Sequence, residues 1–190
     1  MRLAPRTDLE SCGMTTQKLT PTIRLGNVED ARLLAELGAQ TFHDTFAADN
    51  TPEDMAAYLT SSFSPEKQAA ELVEPGATFF IAELDGAVAG YAHLRPGQVP
   101  VCVTHPRSIE LVRLYVTRDW FGRGVGEALM EACVGAARQA GFQSMWLGVW
   151  ERNGRAQAFY RKWDFQVVGQ HVFQVGSDPQ TDLLMERDLS

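Results

Sequence analysis

The stretch of sequence that decides the fold is residues 111–126, which read LVRLYVTRDWFGRGVG. Its first six residues are mainly apolar and rich in β-sheet formers, which predicts a buried strand. Its end places glycines at alternate positions, 122, 124 and 126, directly before a long helical pattern. Glycines at this spacing allow a tight turn and expose backbone N–H groups at a helix N-terminus, where an anion is stabilised. The stretch therefore predicts a strand, an anion-binding loop and a helix, with a diphosphate as the natural ligand.

Two common nucleotide-binding loops do not fit this spacing. A Walker A loop requires Gly-Lys followed by Ser or Thr, which is absent, and a dinucleotide-binding fingerprint requires a glycine where Leu129 stands. A glycine-rich helix start can also form a turn and nothing more. The loop alone therefore does not assign a function.

Before this stretch, the pattern predicts one strand, a helical region and a hairpin. Thr22–Leu25 is strand-like, and Asn27 can cap a first helix. Residues 51–52 and 64–65 each place a capping residue before a proline, which predicts further helices. An Asp-Gly pair at 85–86 separates two apolar runs and is a strong hairpin signal.

After this stretch, the pattern alternates between helices and strands to the end of the chain. The long helix is predicted to stop at Gly141, and a buried strand follows at 144–150. Asn153 caps a short helix, and strands at 165–175 and 181–188 close the chain. The whole order, β-α-α-β-β-β-α-β-α-β-β, predicts an α/β (α+β) fold with a mixed sheet and helices on both faces.

Length, composition and charge narrow the function classes. The 190 residues are 45% hydrophobic and 22% charged, which fits one globular domain at 21–190 after a disordered leader at 1–20, with Met14 as an alternative start. The net charge of −7 argues against a nucleic-acid-binding surface. No apolar run is long enough to span a membrane and no secretory signal is recognisable, so no membrane partner is expected. Three cysteines without a C-x-x-C pair predict reduced thiols in the cytoplasm.

A second group of polar residues lies further along the chain. Asn153 and Tyr160 are seven residues apart, which places them within about 20° of each other on one helix face. A polar amide and a phenol at this spacing are able to hold a polar ligand. In the alternative interpretation, Asn153 is only an N-cap and Tyr160 is a core residue.

These motifs together resemble a known family. Leu-Tyr-Val at 114–116 precedes the G-x-G-x-G loop, N-x-x-A-x-x-F-Y follows at 153–160, and a phenylalanine stands at 165. In order and spacing the chain resembles the GCN5-related N-acetyltransferases (GNAT) from about residue 22 to 189. A closer resemblance, to PaiA-type spermidine or polyamine N-acetyltransferases, is based on TFHDTF at 41–46, WLGVWERN at 146–153 and QTDL at 180–183.

The resemblance implies a GNAT fold, in which a mostly antiparallel central sheet of six or seven strands splays apart at an acetyl-CoA cleft. The pantetheine arm would pair with the backbone at 114–116, and the pyrophosphate would lie on the amides of the glycine loop. Asn153 would contact the pantetheine and Tyr160 would lie near the sulfur. The cofactor-binding residues that the resemblance implies are Leu114, Tyr115, Val116, Phe121, Gly122, Arg123, Gly124, Val125, Gly126, Asn153, Phe159, Tyr160 and Lys162.

Amine acetylation requires acid–base groups. An alkylammonium ion must lose a proton before it attacks a thioester, and with a pKa near 10.4 the neutral form costs about 4–5 kcal/mol at pH 7. Glu110 is the first candidate for the base and Glu151 the second, although each position is also typical of a charge that only solvates a strand end. Tyr160 is expected to protonate the departing thiolate, since a phenol with a pKa of about 10 suits this role.

The acceptor is expected to bind beside the first helix, at Phe42, His43, Asp44 and Phe46. The resemblance favours direct acetyl transfer to a primary amine of a small molecule such as spermidine. Other acceptors (an aminoglycoside, an amino acid or a protein N-terminus) and a non-catalytic acyl-CoA-binding regulator remain alternatives. No metal-binding spacing is present, so no metal is expected, and a homodimer is left open.

Overall fold

The computed structural model describes residues 20–190, so the predicted leader lies almost wholly outside the described residues. The strands and helices follow in the predicted order, with three α-helices between the first two strands. They are β1 (Thr22–Leu25), α1 (Ala31–Phe46), α2 (Pro52–Ser62), α3 (Pro65–Leu72), β2 (Thr78–Leu84), β3 (Ala87–Arg95), β4 (Ser108–Val116), α4 (Val125–Gln139), β5 (Ser144–Trp150), α5 (Gly154–Lys162), β6 (Gln166–Val175) and β7 (Asp178–Asp188), with 3₁₀ turns at Val28–Asp30 and Arg118–Trp120.

The strands form a seven-stranded sheet in the order β1-β2-β3-β4-β5-β7-β6. Its neighbouring pairs are antiparallel except for β4 and β5, which are parallel. The parallel pairing covers only three residues of each strand and ends at Glu110 opposite Trp146. Beyond that point, residues 111–116 of β4 have no partner in β5, which opens the sheet between its two halves. The predicted mixed sheet with a splayed centre is confirmed.

A β-bulge lies where the two central strands separate. On β3, His93 pairs with Arg113 but the next residue, Leu94, pairs with Leu111, so Val112 is the extra residue of β4. A bulge bends the strand that carries it. In consequence Leu111 and Leu114, three residues apart, both pack into the same hydrophobic core, while Arg113 and Tyr115 face the opposite side of the sheet.

The closed end of the splay is held by hydrogen bonds among three buried side chains, Ser108, Ser144 and Glu186, which we call the apex cluster. The two serine hydroxyls are 2.6 Å apart, and Ser144 donates to Glu186 Oε1 at 2.7 Å. The backbone N–H of Thr104 donates to the other oxygen of Glu186 at 2.8 Å. Burial alone would raise the pKa of Glu186, but these hydrogen bonds outweigh it and lower that pKa, so the carboxylate stays charged. The cluster therefore ties β4, β5 and β7 together at one point.

Helices cover both faces of the sheet. On one face, α4 and α5 pack on a large core that includes Leu129, Met145 and Tyr160. On the other, α1 and α2 bury the ring of Phe42 with Phe63 and Val175. Within residues 20–190, no helix is both long and apolar enough to cross a bilayer.

The turns follow the chemistry that the sequence indicated. Asp85 and Gly86 both have positive φ, 54° and 75°, and join β2 to β3 as a tight hairpin. Gly141 (φ 75°) ends α4 as predicted. Asp164 adopts φ 61° after α5, a left-handed conformation that aspartate tolerates better than most residues.

Candidate active site

A cleft of about 850 Å³ occupies the gap between β4 and β5. Because the sheet is open there, the cleft is lined by residues from both of its faces. Leu114, Val116 and Tyr160 come from the face covered by α4 and α5. Phe46, Tyr58 and Phe173 come from the face covered by α1 and α2. The two sides differ in chemistry.

The first region, which we call the glycine side, consists of the loop at 120–126, the start of α4, and the side chains of Arg118 and Arg155. Gly122 and Gly124 adopt φ of 72° and 83°, a backbone conformation that favours glycine. Gly124 is the N-cap of α4 and offers no side chain to its first amides. Those N–H groups and the positive end of the helix therefore form a site for an anion.

Two arginines add positive charge to the glycine side. Arg155 lines the cleft with its guanidinium 3.8 Å from the centre of the Phe121 ring, and Arg118 lines it from the 3₁₀ turn. Burial, followed by the nearby charge of Arg118, lowers the pKa of Arg155. No carboxylate within residues 20–190 lies within 4 Å of the Arg155 guanidinium. An anion bound here would relieve the repulsion between the two arginines.

The sequence-predicted basic residues lie elsewhere. Arg123 stacks on the Trp120 ring, 4.9 Å from its centre, and neither Arg123 nor Lys162 lines the cleft. Gly124 and Val125 do not line it either, and Val125 is buried in the core. The remaining predicted cofactor residues all line the cleft: Leu114, Tyr115, Val116, Phe121, Gly122, Gly126, Asn153, Phe159 and Tyr160.

Asn153 and Tyr160 occupy one wall of the cleft, on α5. Asn153 is the N-cap of this helix, its Oδ1 accepting the N–H of Ala156 at 3.1 Å, and it also lines the cleft. The two interpretations of Asn153 are therefore compatible. Tyr160 is buried against Phe159 and Phe165, and burial raises the pKa of its phenol above the ordinary value near 10.

The second region, which we call the aromatic side, consists of the rings of Phe42, Phe46, Tyr58, Trp150 and Phe173. Phe42 stacks on both Phe46 and Tyr58 with ring centres 4.3 Å apart. Phe46 in turn contacts Trp150 at 5.1 Å, and Tyr58 meets Phe173 edge-on at 5.6 Å. The result is an apolar wall suited to an alkyl chain or to a cation above a ring face.

Three of the four predicted acceptor residues line the cleft, and the fourth, His43, does not. Phe42 and Phe46 form part of the aromatic wall. Asp44 also lines the cleft, but Gln40 donates to its Oδ1 at 2.9 Å, and Arg118 lies 3.8 Å from its Oδ2. His43 is exposed and does not line the cleft, because it lies on the outer face of α1.

The two predicted bases have different surroundings. Glu110 lines the cleft, but one of its oxygens lies 2.8 Å from the guanidinium of Arg95, with which it forms a partly buried ion pair. Glu151 lies outside this cleft, in the turn after β5, and lines a separate pocket of about 110 Å³. Neither carboxylate is therefore placed as a free acceptor beside Tyr160.

A buried ion pair forms part of the cleft floor. Arg113 on β4 donates to both oxygens of Glu71 on α3, at 2.5 and 3.2 Å. Both side chains are at least nine-tenths buried. Burial works against the charge on Arg113, but the hydrogen bonds to Glu71 outweigh it and raise the pKa of Arg113 above its ordinary value. Each charge neutralises the other.

Asp182 and His171 form a third acid–base group, which sequence reasoning did not select. The two residues face each other across β6 and β7, with His171 Nε2 3.9 Å from Asp182 Oδ2, and both line the cleft. Burial raises the pKa of Asp182 to about 6, while the charge of His171 opposes this rise. Asp182 belongs to the QTDL segment at 180–183 that contributed to the resemblance, which was the available signal.

Within residues 20–190, no group of three or more His, Cys, Asp or Glu side chains is placed to hold a metal ion. Cys102 and Cys133 are free thiols, and neither lines the cleft.

Comparison with known proteins agrees with this geometry. The profile of the acetyltransferase (GNAT) family matches residues 40–165, which include the end of α1, the glycine loop and α5. A sheet splayed between β4 and β5, with an anion site at the start of α4, is thus the cleft of an acetyltransferase enzyme. The chain belongs to the GNAT family.

Its relatives include two proteins that are described as uncharacterized N-acetyltransferases. One, in the pepI 3′ region of Lactobacillus delbrueckii subsp. lactis, is 36% identical over 80% of this chain and 88% of its own length. The other, from Mycobacterium tuberculosis strain H37Rv, is 33% identical over 84% of this chain and 98% of its own.

Solved structures share the fold. The PaiA N-acetyltransferase of Thermoplasma acidophilum, in complex with coenzyme A, superposes with a TM-score of 0.71 and 22% identity, over 89% of this chain and 99% of that one. YncA of Salmonella typhimurium, with its cofactor acetyl-CoA, has a TM-score of 0.63 and 22% identity, over 90% of this chain and 95% of that one.

Proposed function

We propose that this enzyme is an acetyl-CoA-dependent N-acetyltransferase that transfers acetyl directly to a primary amine of a small molecule, with a polyamine such as spermidine as the favoured acceptor. The proposal rests chiefly on the contrast between the two sides of one cleft. The glycine side presents amides and arginines to an anion, and the aromatic side presents rings and a carboxylate to an alkyl amine. Cytoplasmic location and a PaiA-like branch belong to the same proposal.

The residues present fit acetyl-CoA. The amides at 122–126 and the guanidinium groups of Arg118 and Arg155 would hold the pyrophosphate, since charge-assisted contacts to phosphate suit arginine. The unpaired edge of β4 at 111–116 offers backbone groups to the amides of a pantetheine arm. Asn153 and Phe159 line the same path, as the resemblance implies.

The bound cosubstrate supplies a thioester carbonyl for the amine to attack. Tyr160 keeps its proton throughout the physiological range, because burial raises its pKa. Its hydroxyl is thus able to donate a hydrogen bond to sulfur as negative charge develops there. Complete proton transfer from this phenol to a thiolate with a pKa near 8.5 is uphill, so we expect Tyr160 to act mainly as a hydrogen-bond donor.

The position of the cysteines supports direct transfer. Cys133 is on the buried face of α4, and burial raises the pKa of its thiol, which keeps it protonated and inert. Cys102 packs beside Gly169, outside the cleft. Neither of the described cysteines is therefore placed at the site to act as the nucleophile of an acetyl-enzyme.

A thiol-release assay tests the proposal. Acetyl-CoA is supplied with spermidine, spermine, putrescine, an aminoglycoside, an amino acid and an N-terminal peptide, and free CoA is measured. We expect turnover on the polyamines, with kcat reduced at least tenfold in Y160F. Turnover on another amine alone would overturn the polyamine assignment. Acetyl-CoA binding without turnover on any amine would favour the regulator instead.

A further inference from the structure

Amine acetylation leaves one proton that the enzyme must pass to solvent. An alkylammonium ion carries three N–H protons, and the amide product keeps one of them. One of the other two ends on the CoA sulfur as the C–S bond breaks, and the second must leave the cleft. A base beside the acceptor nitrogen is therefore required, together with a path from that base to water.

Most carboxylates that line the cleft are already engaged. Glu71 is held by Arg113, and Glu110 is held by Arg95. Asp44 accepts from Gln40 and lies near Arg118, and Glu127 is in the first turn of α4 on the glycine side. A carboxylate that neutralises an arginine is a poor proton acceptor, because the positive charge stabilises its ionised form.

Asp182 has a different environment. Its side chain is only 13% exposed, and no Lys or Arg within residues 20–190 forms an ion pair with it. Gly148, on the adjacent strand, allows both side chains of the pair to approach its backbone: a Cβ at this position would lie 3.2 Å from Asp182 Oδ2 and 3.4 Å from His171 Nε2. The Asp182 carboxylate lines the cleft together with the aromatic rings of Trp150 and Tyr58.

His171 connects Asp182 to solvent. Its side chain is 47% exposed, and its Nε2 lies 3.9 Å from Asp182 Oδ2. This distance is longer than a hydrogen bond, and a small rotation or one bridging water closes it. An imidazole accepts and releases protons near neutral pH, so it can return a proton from a buried carboxylate to bulk water.

We propose that Asp182 is the general base of the acetyl transfer and that His171 passes the proton from Asp182 to solvent. The inference rests on the proposed function. Asp182 Oδ2 accepts one proton from the bound alkylammonium ion and becomes a neutral carboxylic acid, and the neutral amine then attacks the thioester carbon. As the C–S bond breaks, a second proton of that nitrogen goes to the CoA sulfur, and the third stays on the amide product. His171 then takes the proton from Asp182 and releases it from the exposed part of its ring, which restores the Asp182 carboxylate.

Few other titratable groups face this pair. Tyr58 on α2 is close enough for the Asp182 charge to contribute to its raised pKa, behind the effect of burial. From β5 the neighbours are Gly148 and Trp150, which do not titrate. From α1 the charged residue that lines the cleft is Asp44, which lies near Arg118. The pH dependence of the pair is thus set mainly by Asp182 and His171 themselves.

The test compares D182N, H171Q and the control D188N by thiol release with saturating acetyl-CoA and the best amine, from pH 5 to 9. Asp188 is on the same strand but exposed and away from the cleft. We expect kcat to fall at least 100-fold in D182N, about tenfold in H171Q, and less than twofold in D188N. Far-ultraviolet circular dichroism and melting curves establish that each variant is folded.

The pH profile of kcat separates a catalytic from a structural role. The wild-type enzyme is expected to lose activity below a midpoint near pH 6, which is the pKa of Asp182. D182N lacks this acidic limb. H171Q retains it but shifts it to higher pH, because the positive charge of His171 lowers the pKa of Asp182.

Each other outcome overturns the inference in a distinct way. A D182N enzyme within threefold of wild type, with spermidine still acetylated, removes Asp182 from the reaction and leaves the proposed function intact. An acidic limb that persists in D182N but vanishes in H171Q makes His171 the base. A wild-type enzyme that acetylates no amine overturns the proposed function and this role together.

Discussion

The two sides of the cleft are built by different means. The glycine side comes mainly from one contiguous stretch, residues 118–126, and uses backbone amides, positive φ angles and a helix N-terminus. The aromatic side is assembled from four elements, α1, α2, β5 and β6, and uses side chains alone. The comparison shows that one half of this site is a local property of the chain, while the other half exists only after the sheet has formed.

The two sides of the cleft also differ in how their charges are balanced. On the glycine side, Arg155 and Arg118 repel each other until an anion arrives. On the aromatic side, the ion pair between Glu71 and Arg113 neutralises itself, and Asp182 is buried at the cost of a raised pKa. The following predictions test this contrast, beginning with the largest expected effect.

Replacing Glu71 by glutamine is expected to destabilise the fold most. E71Q leaves the Arg113 guanidinium buried without a counter-charge, which costs about 3–5 kcal/mol. Chemical denaturation measures the free energy of unfolding. The matched control is E36Q, since the ion pair of Glu36 with Arg32 is exposed, and its loss is expected to cost less than about 0.5 kcal/mol. Equal effects of the two variants would contradict the assignment of Glu71 to the cleft floor.

The burial of Asp182 is expected to make stability depend on pH. Its pKa is about 6 in the folded protein and about 3.9 in an unfolded chain, so between these values the folded state binds more protons. Stability attributable to Asp182 therefore falls as pH rises from 4 to 6, by about 3 kcal/mol in total. D182N lacks this fall and is expected to be more stable than wild type at pH 8, as urea denaturation at several pH values would show. D188N serves as the control and should retain the fall between pH 4 and 6, because the pKa of Asp188 is lowered by its hydrogen bonds with Ser190 and is not raised.

Removing Arg155 is expected to act on the cosubstrate alone. R155A should raise KM for acetyl-CoA about tenfold, which corresponds to about 1.4 kcal/mol, and leave KM for the amine within twofold. K162A is the informative comparison, because the sequence placed Lys162 at the cofactor while the structure places it outside the cleft. Steady-state kinetics give KM for acetyl-CoA in both variants and show which side chain contributes more to binding. A larger effect of K162A than of R155A would restore the prediction from sequence.

Changing the aromatic wall is expected to have the smallest effect on kinetics, and to act on KM for the amine and not on KM for acetyl-CoA. F46L removes a ring that faces the cleft and should raise KM for spermidine about two- to fivefold, without changing KM for acetyl-CoA. F142L, outside the cleft, is the control for general loss of packing. A rise in both KM values would indicate that Phe46 supports the whole cleft and not the acceptor position.

Sequence reasoning recovered the elements and the turn of the glycine loop before α4 because each depends on local chemistry. The hairpin at 85–86, the end of α4 at Gly141 and the cap of α5 at Asn153 all follow from short-range preferences. The roles predicted for Glu110, Glu151 and Tyr160 stay predictions. Glu110 forms an ion pair with Arg95, which is 15 residues earlier in the chain. The two residues meet only because β3 and β4 pair in a register that places them opposite each other.

The Asp182–His171 pair shows why the rest of the site could not be predicted. The two residues are 11 positions apart and meet only because β6 and β7 pair in one particular register. A shift of that register by one residue would turn one of the two side chains to the other face of the sheet. Arg155 was missed for a related reason, since its direction depends on how α5 rotates against the sheet.

The apex cluster joins the two halves of the sheet at one end of the cleft, so a small rotation there moves the other end of β4. The far end of β4, at Val116, lies eight residues, or about 26 Å, beyond Ser108, where the apex cluster joins the two halves. A rotation of about 5° about the apex cluster would therefore displace Val116 by about 2 Å. Substitutions at the three buried positions of the apex cluster, remote from both ligands, would thus alter the width of the cleft mouth and with it the range of amines admitted.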